Sequence, residues 1–354
     1  NIIILIALVF LVAVFSALNP HFVDKYNIVS MAQSLAPYAV MSLGVTFVIA
    51  TGGIDLSIGT VCIASAVVAG KMYTSGLLGQ NLWLTIPIMI AIGTLFGFIN
   101  GMLIAKLKMP AFIATLGTMM ISRGLSALIV SDPNIFFPSG TWFNKTFSNA
   151  NGIPTGIFWI IGFTLICMYI MYKNKIGRYI LSIGSNEEAT RLSGINTDKY
   201  KIIAYTFAGL GAGIAAIFWA SSFPTVAAAT GNGMELDAIA GVYIGGTSAA
   251  GGVASVTGSV IGASLLVVIR NGLNMILAKF SLNLNSTYVT YVLTGIIVVV
   301  AVLMDVIKTK KQNRVRADKK IKEKRKKYGN TPFRTLERHR TFLLTIVYLP
   351  DKGH

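Results

Sequence analysis

With 354 residues, 54% of them hydrophobic and 12% charged, and a mean hydropathy of +0.69, this chain is far more apolar than a water-soluble domain, in which about 25% of residues carry charge. Such a composition excludes a soluble globular core and places the polypeptide in a bilayer. The formal net charge of +17 is concentrated: Lys308 to Arg340 holds fifteen Lys/Arg and three Asp/Glu, so 15 − 3 = +12 lies in the tail. A run such as KKIKEKRKKYGN after the last apolar segment reads as a cytoplasmic juxtamembrane stretch that holds topology and touches anionic lipid, not as a nucleic-acid site.

In chain order, apolar runs mark ten candidate spans at about 1–18, 34–50, 56–72, 83–105, 111–130, 155–172, 203–221, 235–250, 254–277 and 287–305. The expected fold is all-α: a polytopic transmembrane helical bundle of about ten spans with two discontinuous or short helix pairs. The first run is too long and unpunctuated for a cleaved signal peptide and is read as a true span. Orientation follows from lysine and arginine in the short loops. If the 173–202 loop, with Lys173, Lys175, Arg178, Arg191, Lys199 and Lys201, is cytoplasmic, the basic tail four spans later is too. The same count puts Lys106 and Lys108 inside, the weakly charged 131–154 loop outside and both termini in the cytoplasm.

Two interruptions fall inside this pattern. The first, TGGIDLS, contains Asp55 and Ser57; the second, GGTSAAGG (Gly245 to Gly252), follows GNGMELDAIAG with Asn232, Glu235 and Asp237. Each is read as a broken helix facing a polar cavity, against the alternative of a tight turn at the membrane surface. A carboxylate in such surroundings is costly unless it is hydrogen-bonded, hydrated or used. Three roles are open to Asp55: acceptor for amides freed at the break, with Ser57 as a local cap; direct contact with a solute; or capping of a surface turn. Glu235 and Asp237 pose the same question, and Asn232 shares in either role. Arg123 and Arg270 are the other charges near the spans. Small residues in AGLGAGIAA and VTGSVIGAS allow close helix packing.

The long polar segment 172–201 contains SNEEATRLSG, which reads as a short amphipathic helix: Asn186 caps it, Glu187 and Glu188 face the positive end of its dipole, and Gly194 stops it. Ala189 and Leu192 share one face. A rigid, charged helix held at both ends suits docking of a soluble partner; a plain connecting loop is the alternative. Cys62 and Cys167 lie in apolar runs and are read as small buried hydrophobes, and His21, His339 and His354 are too scattered for a metal cluster or a nucleophile's base. The pair Gly70-Lys71 continues into Met72 and lacks the spacing of a phosphate-binding loop, so neither cofactor nor ATP hydrolysis is expected of this chain, which is not read as an enzyme.

Four stretches, TGGIDLSIG, PAFIATLGTMMISRGL, GRYILSIGSNEEATRLSGI and GNGMELDAIAGVYIGGTSAAGG with its continuation to RNGLN, resemble in that order the transmembrane permease subunits of sugar ABC importers of the ribose, xylose and galactose type. The resemblance covers residues 1–306, the expected permease domain, and stops before the basic tail 307–354. It implies a monosaccharide substrate, a second permease copy in a homodimer or heterodimer, a separate ABC ATPase subunit, an extracytoplasmic sugar-binding protein and a place in the bacterial cytoplasmic membrane. Glu188, Ala189 and Gly194 match the family's ATPase-contacting loop, with Thr190 where an alanine is common. The coupling helix 184–195, with Gly184, Asn186, Glu187, Glu188, Ala189, Arg191 and Gly194, is then the expected ATPase contact; Asp55, Ser57, Asn232, Glu235 and Asp237 are the expected pathway residues. Permeases for nucleosides, branched-chain amino acids or an autoinducer share the mechanism; an ion-coupled secondary transporter would need a relay of titratable groups.

Overall fold

The computed structural model describes residues 2–280 except 80, 130–133, 224 and 232, together with scattered positions between 288 and 307. Its helices are α1 (Ile2–Leu18), α2 (Lys25–Ala50), α3 (Ile58–Thr74), α4 (Thr85–Ala105), α5 (Ala111–Ile129), α6 (Trp142–Phe147), α7 (Gly156–Met168), α8 (Lys175–Ser185), α9 (Glu187–Leu192), α10 (Thr197–Ser222), α11 (Met234–Ile244) and α12 (Val256–Lys279). Two three-residue strands, β1 (Asn134–Phe136) and β2 (Thr225–Ala227), pair antiparallel, with Ile135 opposite Val226. Of the expected tenth span, 287–305, Tyr288, Val289, Val292, Gly295, Ile296, Val299, Val300 and Leu303 are described, all helical; the tail 307–354, apart from Ile307, lies outside the described residues, as does Asn232.

Among the described residues, six helical segments are long and apolar enough to cross a bilayer: Lys25–Ala50, Leu82–Ala105, Ala111–Ile129, Gly156–Lys173, Thr197–Ser222 and Val256–Lys279. The first and third expected spans are helices of 17 residues, at the short limit for spanning. The span expected at 235–250 is corrected. Its helix, α11, has 11 residues and ends at Ile244, because Gly245 follows and Gly246 takes a left-handed φ of +90°. The chain reaches α11 through β2 and a short 3-10 turn (Ala228–Gly231) that lies against α3. The segment 172–201, expected to hold one short helix, holds two, α8 and α9, joined at a corner.

Close packing of α4 on α10 forms the centre of the bundle. Of Gly93, Gly97 and Gly101, one helical turn apart, the first two face Gly209 and Gly213 of α10 and the third faces the Ile202 backbone, and a methyl group on Gly97 would lie 2.8 Å from the Gly209 Cα. In lipid no hydrophobic force draws helices together, so small residues that let backbones touch supply the contact. On the opposite side of α10, Gly211 meets Gly44 of α2.

α5 is amphipathic in the reverse sense of a soluble helix. Thr115, Thr118, Ser122 and Ser126, spaced three or four apart, are buried toward α3 and α4, whereas Phe112, Ile113, Ile121 and Leu128 are exposed. Lipid as solvent makes that arrangement favourable: the hydroxyls find partners inside, and the apolar face meets acyl chains.

One end of the bundle carries aromatic rings, with Trp83 stacked on Trp142 at 3.7 Å and Phe143 and Phe147 beside them. The other end carries charge. Lys108 pairs with Asp198 at 2.7 Å and Lys106 lies 3.9 Å from it, so the short loop after α4 and the start of α10 share this end with α8 and α9.

Candidate functional site

The first break is a buried turn, not a surface one. Asp55 is 2% exposed and Ser57 1%, and Tyr205 of α10 donates to the Ile54 carbonyl at 3.2 Å. Asp55 Oδ1 accepts from the Ser57 amide (2.9 Å) and the Ser57 hydroxyl (2.6 Å). The expectation that Ser57 caps α3 is corrected: it occupies the N-cap position but makes no side-chain cap bond, because its hydroxyl donates to Asp55 and accepts from Asn100 Nδ2 at 2.9 Å. The chain of bonds continues from the Thr118 hydroxyl to Asn100 Oδ1 (2.6 Å), and a parallel pair joins Ser122 to Thr60 at 2.8 Å. Asp55 therefore anchors a polar seam between α3, α4 and α5. Asn100, Thr118 and Ser122 are uncharged and do not stand out beside the carboxylates, although a lone asparagine in α4 and the hydroxyl stripe on α5 mark them in the sequence.

At the second break, Glu235 and Asp237, each 7% exposed, stand in the first turn of α11 and face different neighbours. Glu235 Oε1 accepts from the Gly233 amide at 3.2 Å, and Glu235 lies over the first turn of α3, where a methyl on Gly59 would come within 2.7 Å of Oε2. Among the described residues, Glu235 Oε2 and Arg123 Nε are buried atoms without a hydrogen-bond partner, and Arg123 is near enough to act on Glu235 electrostatically. Asp237 instead forms an ion pair with Arg270 of α12, whose second guanidinium nitrogen donates to the Tyr38 hydroxyl of α2 at 2.8 Å. The structure thus separates the two carboxylates that the sequence placed side by side.

At the charged end, Asn186 Oδ1 accepts from the Ala189 amide at 2.9 Å and starts α9, and Gly194 ends it with a left-handed φ of +82°. Glu187 pairs with Arg191 at 3.1 Å and with Lys201 of α10 at 2.6 Å, tying α9 to the next helix. Partial burial works against the charge on Glu187, but the hydrogen bond and charge of Lys201, with Arg191 and Lys108 beyond, outweigh it and hold its carboxyl below the usual range. Lys108 donates to Asp198 Oδ1 at 2.7 Å and so joins the loop after α4 to the start of α10. Thr190 is buried, with its hydroxyl 2.8 Å from that of Ser182 on α8. Glu188, Ala189, Arg191 and Gly194 are exposed, as is Leu192 at 83%.

Gly184, in the last turn of α8, sits where both breaks converge. A methyl there would collide with the Ala50 carbonyl at the end of α2 and with the Gly252 amide, which itself donates to Ala50 at 3.0 Å. Gly251 packs on Gly52 and on Gly184, where its own added methyl would lie 2.9 Å from the Gly184 Cα. Tyr172, in the π-helical turn (Tyr169–Lys173) after α7, accepts from the Val256 amide (3.0 Å) and donates to Ala254 (3.2 Å). The end of α8, which leads directly into the exposed helix α9, thus meets the two interruptions through close contacts at Gly184 and Ser185.

Comparison with known proteins agrees with this architecture. Residues 27–302 match the family described as branched-chain amino acid transport system / permease component. The chain is 36% identical over 308 residues to the ribose import permease protein RbsC of Escherichia coli (strain K12), covering 85% of this chain and 92% of that one. It is 37% identical over 304 residues to its namesake in Bacillus subtilis (strain 168), covering 85% and 91%. With the L-arabinose transport system permease protein AraH of Escherichia coli (strain K12) identity is 30% over 296 residues, covering 84% and 87%. No solved structure matches the chain. From these matches the chain belongs to the branched-chain amino acid transport system / permease component family and is a multi-pass membrane permease.

Proposed function

We propose that this chain is the membrane subunit of an ABC importer that carries a monosaccharide of the ribose class inward by alternating access. The charged end bearing α8 and α9 faces the cytoplasm, the aromatic end faces outward, and both termini are cytoplasmic. A separate ATPase subunit docks on Glu188, Ala189, Arg191, Leu192 and Gly194. A sugar-binding protein delivers solute to the outer end, and a second permease copy completes the passage. The observation that carries this reading is the junction of Gly184 with Ala50, Gly52, Gly251 and Gly252. A push on α9 passes through α8 into both broken helices, since close-packed backbone transmits displacement with little compliance. The relatives named for ribose and L-arabinose support the solute class.

The test is uptake of D-ribose by vesicles holding this chain with its ATPase and binding protein. ATP-dependent uptake that stops without the ATPase and survives collapse of the proton gradient is expected. Uptake that follows the proton gradient, or of leucine in place of sugar, overturns the reading.

A further inference from the structure

The cations at the charged end of the bundle fall into two groups. Lys106, Lys108, Arg191 and Lys201 each lie against Asp198 or Glu187. Lys173, Lys175 and Arg178, at the corner between α7 and α8, are exposed and have no ion pair or side-chain hydrogen bond among the described residues. Lys175 and Arg178 are one turn apart on α8, and Lys173 closes the π-helical turn just before it. No Asp or Glu occurs in the sequence between Asp132 and Glu187 to balance them.

The apolar face of α7 leads straight to these charges. Ile161, Leu165, Tyr169 and Tyr172 are exposed along one side of that helix and its π-helical turn, while Ile160, Cys167 and Met171 are buried on the other. At 1.5 Å per residue the stripe is ~16 Å long, about the depth of one leaflet, and it ends on two tyrosines, whose rings favour the headgroup level. α8 keeps the cations near that level. It folds back on the turn, where a methyl on Gly177 would collide with the Ile170 and Met171 carbonyls, and it buries Ile180 and Ile183 while Lys175 and Arg178 stay outside.

We propose that Lys173, Lys175 and Arg178 bind the phosphate of an anionic phospholipid whose acyl chains lie along Tyr169, Leu165 and Ile161. The leaflet is the cytoplasmic one in the orientation given above, and the site does not depend on which solute is carried. Ammonium and guanidinium groups donate charge-assisted hydrogen bonds to phosphate oxygens. Three positive charges without a carboxylate beside them favour phosphatidylglycerol, with its uncompensated phosphate, over phosphatidylcholine, in which choline cancels that charge. Each cation near an anionic surface contributes about a fivefold preference.

The test places the full chain, with its ATPase subunit bound, in phosphatidylcholine vesicles carrying a trace of photoreactive phosphatidylglycerol or, separately, of photoreactive phosphatidylcholine. The diazirine sits in the acyl chain close to the headgroup. Labelled peptides are mapped by mass spectrometry, so that lipid held by the basic tail 307–354 is scored apart. Residues 161–178 are expected to be labelled about fivefold or more by phosphatidylglycerol over phosphatidylcholine. Lys173→Gln, Lys175→Gln and Arg178→Gln together should bring that ratio to about one while phosphatidylcholine labelling and ATPase co-purification stay unchanged. Lys173→Arg with Lys175→Arg should keep the preference, since the charge remains. Equal labelling by the two lipids in the wild type, or a preference that survives the triple change, overturns the proposal. Absence of labelling by either lipid means that the ATPase or a second copy covers this face, and overturns it as well. The wild-type ratio decides on its own if the triple variant does not fold.

Discussion

At the scale of single residues, the buried polar groups divide by what satisfies them. Asn100 is the hinge of the seam, donating to Ser57 and accepting from Thr118. Replacing it by Leu removes the acceptor of the buried Thr118 hydroxyl and one of the two partners of Ser57, and is expected to destabilise by about 1–3 kcal/mol, read as a lower midpoint of thermal unfolding in detergent. Glu187 gives a pH-dependent expectation. Its carboxyl ionises more readily folded than unfolded, so its pairing stabilises the α9–α10 corner at neutral pH and that contribution is lost as pH falls below the ordinary carboxylate range. Hydrogen exchange at the Thr190 and Ile195 amides, corrected for the intrinsic rate, should therefore speed up in acid, and Lys201→Met should remove most of the difference. Unchanged protection across that range would count against the pairing.

Among the elements, glycine decides which helices touch. Gly97→Leu places a branched side chain where the Gly209 backbone stands, and loss of the folded protein from detergent extracts is the expected result. Gly184→Ala is a milder change at the junction of α8 with the two breaks. Because α9 and its exposed residues are untouched, the ATPase should still co-purify with this variant while D-ribose uptake falls by about tenfold or more. Normal uptake would mean that force reaches the bundle by another route. Legibility in the sequence differed between these elements. Asn186 and Gly194 mark the ends of α9 through local chemistry, whereas α8 lay unseen in a polar stretch, its amphipathic pattern mixed with the turns on either side. The span at 235–250 ran past Ile244 because apolarity continues there, while the glycines of GGTSAAGG already marked the break at which α11 stops, with Gly246 left-handed.

Over the whole molecule, the charge pattern carries the orientation. A cysteine in place of Leu192 should react with an impermeant thiol reagent only from the cytoplasmic side, and one in place of Asn81, beside the Trp83–Trp142 stack, only from outside. Reaction of Leu192→Cys from outside would invert the proposed topology. Composition alone determined that the chain is a helical membrane protein, and the two interruptions and the α9 boundaries could be read directly, since hydropathy, caps and glycine stops act over a few residues. Which carboxylate meets which partner was decided only by the tertiary structure. Asp55 reaches α4 and α5 through Ser57, Asp237 reaches α12 and α2 through Arg270, and Glu235 faces α3, although two of the three are neighbours in sequence. Contacts between helices depend on rotation about each helix axis and on backbone approach at glycines more than a hundred residues apart, such as Gly97 and Gly209, and neither leaves a mark on local periodicity.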